Sequence, residues 1–169
     1  MDEDHYIDIV DKKDRVIAKA TKEEKFQKEL ISRNVVAFIK NNENELIIVK
    51  RSSRKRSWPN RLDLATCGNV NIGETYRQAI KREIKEELGI DCPVKLYKKI
   101  YTEVTENKKL VKYFTAVYIG TTNDKPKLSD ELLELQYIKP EALGKEMKSH
   151  PDLFSPSFIR EFKMVKTIL

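Results

Sequence analysis

Glu83, Glu86 and Glu87 stand three and four residues apart in "REIKEELGI", a spacing that puts their carboxylates on one face of a helix. Like charges so placed cost a solvated helix about 0.2–0.5 kcal/mol per pair, and more where water is excluded. A hard dication such as magnesium turns that penalty into attraction, because it takes carboxylate oxygens as ligands. The competing reading is a solvated acidic face relieved by Lys81, Arg82 and Lys85, the ordinary fate of a charge run.

The element that must carry these residues reads clearly. From Thr75 to Leu88 the chain has no proline or glycine, and helix formers dominate. Glu74 or Thr75 marks the helix start and Gly89 its stop. Ile80, Ile84 and Leu88 recur every four residues, an apolar stripe that can bind a sheet. Upstream, "YIDIVDKKDRVIAKA" predicts two strands around a turn at Asp11 to Asp14. Thr21 followed by Glu24 is a capping-box pattern that opens a short helix through about Lys28. "NVVAFIK" and "ELIIVKR" predict buried strands about the turn "NNEN". "WPNRLDLATCGNV" predicts short strands, "VKLYKKIYTEV" and "KLVKYFTAVYIG" a longer pair, and "ELQYI" a last one. "PEALGKEM" and "SPSFIREFKMVKTIL" predict helices with proline in the first turn. Strands on both sides of a central helix make the class α/β or α+β.

The 169 residues suit one domain, and no repeat, low-complexity run or linker interrupts them. Residues 1–30 supply the hairpin and short helix ahead of the central strands. The longest apolar runs, "VVAFI" and "LIIV", are far too short to span a bilayer. The acidic start "MDEDHYIDIV" lacks a secretory pattern, so the expected location is the cytoplasm. Cys67 and Cys92 form neither a C-x-x-C spacing nor a disulfide framework, in keeping with a reducing compartment. The net charge of +6 is spread widely apart from "KRSSRKR" at Lys50 to Arg56. That pattern suits a phosphate-bearing small molecule at least as well as a nucleic-acid polymer. Oligomeric state, a homodimer included, is not written in the sequence.

The segment from Gly68 to Ile90 resembles the Nudix box, G-x5-E-x7-R-E-U-x-E-E-x-G-U with U a bulky aliphatic residue. Gly68, Glu74, Arg82, Glu83, Ile84, Glu86, Glu87, Gly89 and Ile90 fill every fixed position. The resemblance implies a Nudix fold, an α/β/α sandwich with a mixed central sheet, spanning residues 1–169 as a single domain. It implies hydrolysis of a diphosphate bond in a nucleoside diphosphate linked to another group, with magnesium as cofactor and manganese as a substitute. Carried over position by position, Glu83, Glu86 and Glu87 become the metal-binding carboxylates and the Gly68 carbonyl a further ligand. Glu74 and Arg82 pair with each other and fix the loop against the helix. A carboxylate must take the proton of the attacking water. Glu83 ranks first for that role, and Asp130, Glu131 and Glu134 of "SDELLEL" offer the alternative.

A second resemblance bears on mechanism. "WPNRLDLATCGNVNIGE" and "IDIVDKKDRVIAKATKEE" are similar to isopentenyl diphosphate isomerase and its branch of the same superfamily. Cys67 falls at that enzyme's catalytic cysteine. The metal-binding histidine expected just after the cysteine and glycine is replaced by Asn69, and "KFQKELISRN" has no histidine. His5 and His150 lie far from these places. A cysteine without those partners behaves as a small packed residue, so hydrolysis is favoured over isomerisation. A third possibility is a non-catalytic reader that binds a nucleotide or RNA. The loop residues Arg51, Arg54 and Arg56, with Lys55 among them, are candidates to hold substrate phosphates. Trp58 is a candidate to stack on a base or to pack in the core.

Overall fold

The computed structural model describes residues 6–55, 57–106, 108–127 and 132–169. Its elements run β1 (Tyr6–Val10), β2 (Val16–Thr21), α1 (Lys22–Gln27), β3 (Ile31–Lys40), β4 (Leu46–Arg51), β5 (Leu62–Leu64), β6 (Thr66–Asn69) and α2 (Tyr76–Leu88). They continue with β7 (Val94–Glu106), β8 (Lys109–Thr121), β9 (Leu132–Ile138), α3 (Pro140–Ser149) and α4 (Pro156–Val165). The order and type of these elements match the sequence-based expectation, and the fold is α+β. Two compact units divide the chain: Met1–Val36, Cys67–Glu83 and Lys95–Tyr118 form one, and Ala37–Thr66, Ile84–Val94 and Ile119–Leu169 the other.

In the first unit β1 and β2 form an antiparallel hairpin, with Tyr6 opposite Thr21 and an irregularity at Ile9/Val10. Its turn is built by Asp11, whose Oδ1 accepts the N–H groups of Lys13 at 2.8 Å and Arg15 at 3.0 Å. Such side-chain caps are why Asp favours turns. Asp14 takes the left-handed conformation at φ 60°. Thr21 then starts α1: its Oγ1 accepts the Glu24 N–H at 3.1 Å while Glu24 Oε2 accepts the Thr21 N–H at 3.0 Å. That reciprocal pair is the capping box expected from Thr21 and Glu24. Val10 pairs with Ile31 of β3, β6 and β8 also pair with β3, and β7 pairs with β8. Ile7, Ile9 and Ala20 are buried together against Leu30.

In the second unit β4 is the central strand, antiparallel to β5 and to β9. Leu46 to Val49 are buried at every position, which is how a strand covered on both faces reads. The turn before β4 relies on Asn41, whose Oδ1 accepts the N–H groups of Glu43 and Glu45, and on Asn44 at φ 59°. Pro140 and Pro156 sit in the first turns of α3 and α4, and Ser155 caps α4 by accepting the Phe158 N–H at 3.2 Å. The Phe158 ring packs tilted against Phe38 and edge-on against Phe154, with ring centroids 6.3 and 6.1 Å apart. Among the described residues no helix is long and apolar enough to cross a membrane.

Candidate functional site

Helix α2 is fixed at both ends by its own sequence. Thr75 Oγ1 accepts the Gln78 N–H at 3.2 Å, and Gln78 Oε1 accepts the Thr75 N–H at 2.8 Å. This reciprocal cap decides between Glu74 and Thr75 as the helix start and releases Glu74 for another partner. Gly89, at φ 66°, ends the helix with its N–H on the Lys85 carbonyl at 3.0 Å. Left-handed backbone of this kind suits glycine. Ile80, Ile84 and Leu88 are fully buried, each stabilising by about 1.5–3 kcal/mol. Their burial sets the rotation of α2, and Glu83 and Glu87 are left half-buried with Glu86 exposed.

Arg82 ties the helix to the loop before it. Its Nε donates to Glu74 Oε1 at 2.8 Å and its Nη2 to Glu74 Oε2 at 3.0 Å, a two-point fork. Nη2 also reaches the Asn69 carbonyl at 3.0 Å, and Nη1 reaches Glu83 Oε1 at 2.6 Å. Glu74 Oε2 in turn accepts the Asn71 N–H at 2.8 Å. Hydrogen bonds from Arg82 hold the Glu74 carboxyl below the usual carboxylate range, and Glu74 raises the Arg82 guanidinium further above its own. One guanidinium thus serves four acceptors on β6, the loop and α2, a task suited to its planar fork.

Gly68 and Glu83 are fitted to each other. A Cβ at position 68 would lie 2.1 Å from Glu83 Cδ and Oε1 and 2.5 Å from Oε2. The carboxylate therefore occupies the space that any side chain at 68 would take. This explains in packing terms why glycine opens the motif. The donor types present here and along α2, carboxylate oxygens and a strand carbonyl, are the hard set that suits magnesium or manganese. The seat of Glu83 against Gly68 is a cradle that a methyl group would fill. Among the described residues no group of three Asp, Glu, His or Cys side chains converges as a ready-made metal cluster.

The other residues singled out from sequence fall as follows. Arg51 Nη1 pairs with Asp63 Oδ2 at 2.9 Å and its Nε donates to the Ser57 carbonyl at 3.0 Å. Its side chain is only 15% exposed, so this guanidinium serves the loop's own structure. Arg54 is exposed, and Arg56 lies outside the described residues. Trp58 is half-buried at φ 52°, with the Arg61 guanidinium 5.1 Å from its ring centroid. Glu134 is exposed on β9, while Asp130 and Glu131 lie outside the described residues. Cys67 is half-buried on β6, next to Gly68.

Two groups of charged residues were not foreseen. Asp14, 7% exposed, accepts hydrogen bonds from Arg33 Nε at 2.7 Å, from Tyr76 Oη at 3.0 Å and from Lys99 Nζ. Burial disfavours its charge, but the bonds from Lys99 and Arg33 outweigh that and hold its carboxyl low. Nearby, the buried Asp8 accepts the Gly73 N–H at 3.0 Å. In the second unit, burial raises the Asp63 carboxyl despite Arg51. Burial, with the charge of Asp63, pushes Glu161 up to about 8. No local spacing advertises either group.

Residues 30–158 match the NUDIX domain family model. An isopentenyl-diphosphate Delta-isomerase 2 of Photorhabdus laumondii is 27% identical over 157 residues, covering 92% of this chain and 89% of that protein. An uncharacterized Nudix hydrolase of Pseudomonas aeruginosa is 30% identical over 145 residues, covering 84% of this chain and 83% of that protein. The crystal structure of DR0079 from Deinococcus radiodurans superposes with a TM-score of 0.77 at 23% identity, covering 94% of this chain and 98% of that one.

Proposed function

Because the chain belongs to the NUDIX family, we propose that it is a divalent-cation-dependent diphosphatase. Its substrate class is a nucleoside diphosphate joined to a second group, and water attacks phosphorus. The observation that carries this reading is the Glu83 carboxylate seated on Gly68 and tied through Arg82 to Glu74. A structural acidic face needs no such seat.

In this reading Glu83, Glu86, Glu87 and the Gly68 carbonyl hold the cation. When bound, the cation neutralises charge developing on the phosphoryl oxygens and acidifies water. The chain's own residues do the rest. Arg82 fixes Glu83 against the β6 strand through its bonds to Asn69 and Glu74. A carboxylate, with Glu83 ranked before Glu134, accepts the proton of the water whose oxygen forms the new bond to phosphorus. The bridging P–O bond breaks, and its electron pair leaves with the departing phosphate. Arg54 on the exposed loop reaches substrate phosphate, whereas Arg51 acts indirectly by holding that loop through Asp63 and Ser57. The substrate in this reading is a small molecule and the setting is the cytoplasm.

The name of the Photorhabdus relative favours a second reading, allylic isomerisation through Cys67. Asn69, whose carbonyl receives Arg82, stands where that chemistry wants a histidine ligand. One experiment separates the two: product release from nucleoside triphosphates, dinucleotides, nucleotide sugars and prenyl diphosphates, with and without magnesium. Wild type, Glu86→Gln and Cys67→Ala run side by side. Hydrolysis predicts phosphate or monophosphate release that needs magnesium and Glu86. Turnover that survives Glu86→Gln but not Cys67→Ala overturns the proposal.

A further inference from the structure

We propose that the N-terminal hairpin β1–β2 is a clamp on the loop at 70–75, and that Asp8 and Asp14 are positioning residues for the reaction. The hairpin lies ahead of residues 30–158, which the family model matches. It nevertheless grips the loop at three successive points. Ile7 forms an antiparallel bridge with Asn71. The buried Asp8 carboxylate accepts the Gly73 N–H at 3.0 Å. Asp14 accepts the Tyr76 hydroxyl at 3.0 Å, at the first residue of α2.

From its other side the same loop is gripped by Arg82 and Glu74, and Asn71 is shared between the two grips. Its N–H donates to Glu74 Oε2 at 2.8 Å while its backbone bridges Ile7. Any shift of Asn71 therefore reaches Glu74, then Arg82, then Glu83 through bonds of 2.6–3.0 Å. Gly73, at φ 72° with open space where a Cβ would be, lets the loop turn so that its N–H faces Asp8. Asp14 cannot drift, because Arg33 and Lys99 hold the same carboxylate and Arg33 also donates to the Asp14 carbonyl. A buried, multiply bonded carboxylate is weak evidence for stability but a precise way to fix register. Hairpin contacts thus set where the Glu83 carboxylate stands on Gly68.

This inference rests on the hydrolase reading for its kinetic readout, so its test includes one that needs no turnover. Amide hydrogen exchange is measured on the full chain for wild type, Asp8→Ala, Asp8→Asn and Tyr76→Phe, beside kcat, KM and the melting temperature. The clamp predicts faster exchange at 71–76 in Asp8→Ala and Tyr76→Phe, with exchange in α4 unchanged. It predicts a fall in kcat of roughly tenfold, given that about 1 Å of misplacement costs up to 10²-fold. KM stays near wild type, and Asp8→Asn, which keeps an acceptor oxygen, restores most of both. Unchanged exchange at 71–76 overturns the clamp, as does a kcat loss that follows only the fraction unfolded. If wild type hydrolyses nothing, the hydrolase reading fails while the exchange result still decides the clamp.

Discussion

Adding one methyl group at Gly68 tests the seat of Glu83 without touching a charged residue. In Gly68→Ala the new Cβ meets Glu83 Cδ and Oε1 at 2.1 Å, where ordinary contact begins at about 3.4 Å. The carboxylate must therefore retreat by roughly 1.3 Å. Gly68 is not among the glycines at positive φ, so alanine meets no backbone penalty there. The group displaced is the far end of a flexible side chain, so folding suffers little while the carboxylate loses its place. A misplacement near 1 Å costs about 10²-fold in rate when a reacting group is involved. The expected outcome is a kcat lowered about a hundredfold, with a melting temperature within a few degrees of wild type. Steady-state phosphate release and thermal denaturation on the same preparation provide the check. A Gly68→Ala protein with wild-type kcat would refute the reasoning, because the contact would then have no bearing on the chemistry.

Three further outcomes follow from other parts of the structure. Arg82→Lys leaves one point donor where a fork served four acceptors; kcat should fall at least tenfold and stability by about 1–3 kcal/mol in urea titration. Glu161 has its carboxyl raised by burial and by Asp63 from 4.5 to about 8, so the fold favours its neutral form. Its stabilising contribution is whole below the unfolded value and is lost as pH rises through about 8. Glu161→Gln should flatten the decline in urea midpoint between about pH 5 and about pH 9 seen in wild type. Cys67→Ala should leave phosphate release near the wild-type rate, measured on the best substrate of the panel.

Local signals carried most of what the sequence revealed. The cap at Thr75, the stripe of Ile80, Ile84 and Leu88 and the stop at Gly89 all act within a few residues, and each is visible in one window. The partnership of Glu74 with Arg82 was legible only through the motif's resemblance, since Glu74 stands in the loop before α2 and no helical spacing joins the two. Contacts made by pairing distant segments were not legible. Asp14 and Tyr76 are separated by 62 positions and Asp8 and Gly73 by 65, and no periodicity connects them. Arg51 stood as a candidate to hold phosphate, and its pairing with Asp63 was hidden because the strand register was unknown. Once Val49 lies opposite Asp63, that carboxylate comes within reach of Arg51. Trp58 at φ 52° was equally hidden, since a bulky side chain does not announce left-handed backbone.

The most direct test of the central claim is to run the reaction in oxygen-18 water and weigh the products. If the α2 carboxylates hold a cation that would polarise the diphosphate, attack of water on phosphorus predicts one heavy oxygen in a phosphoryl product, formed only with magnesium or manganese and lost in Glu86→Gln. Product without label, or label incorporated equally by Glu86→Gln, would contradict it.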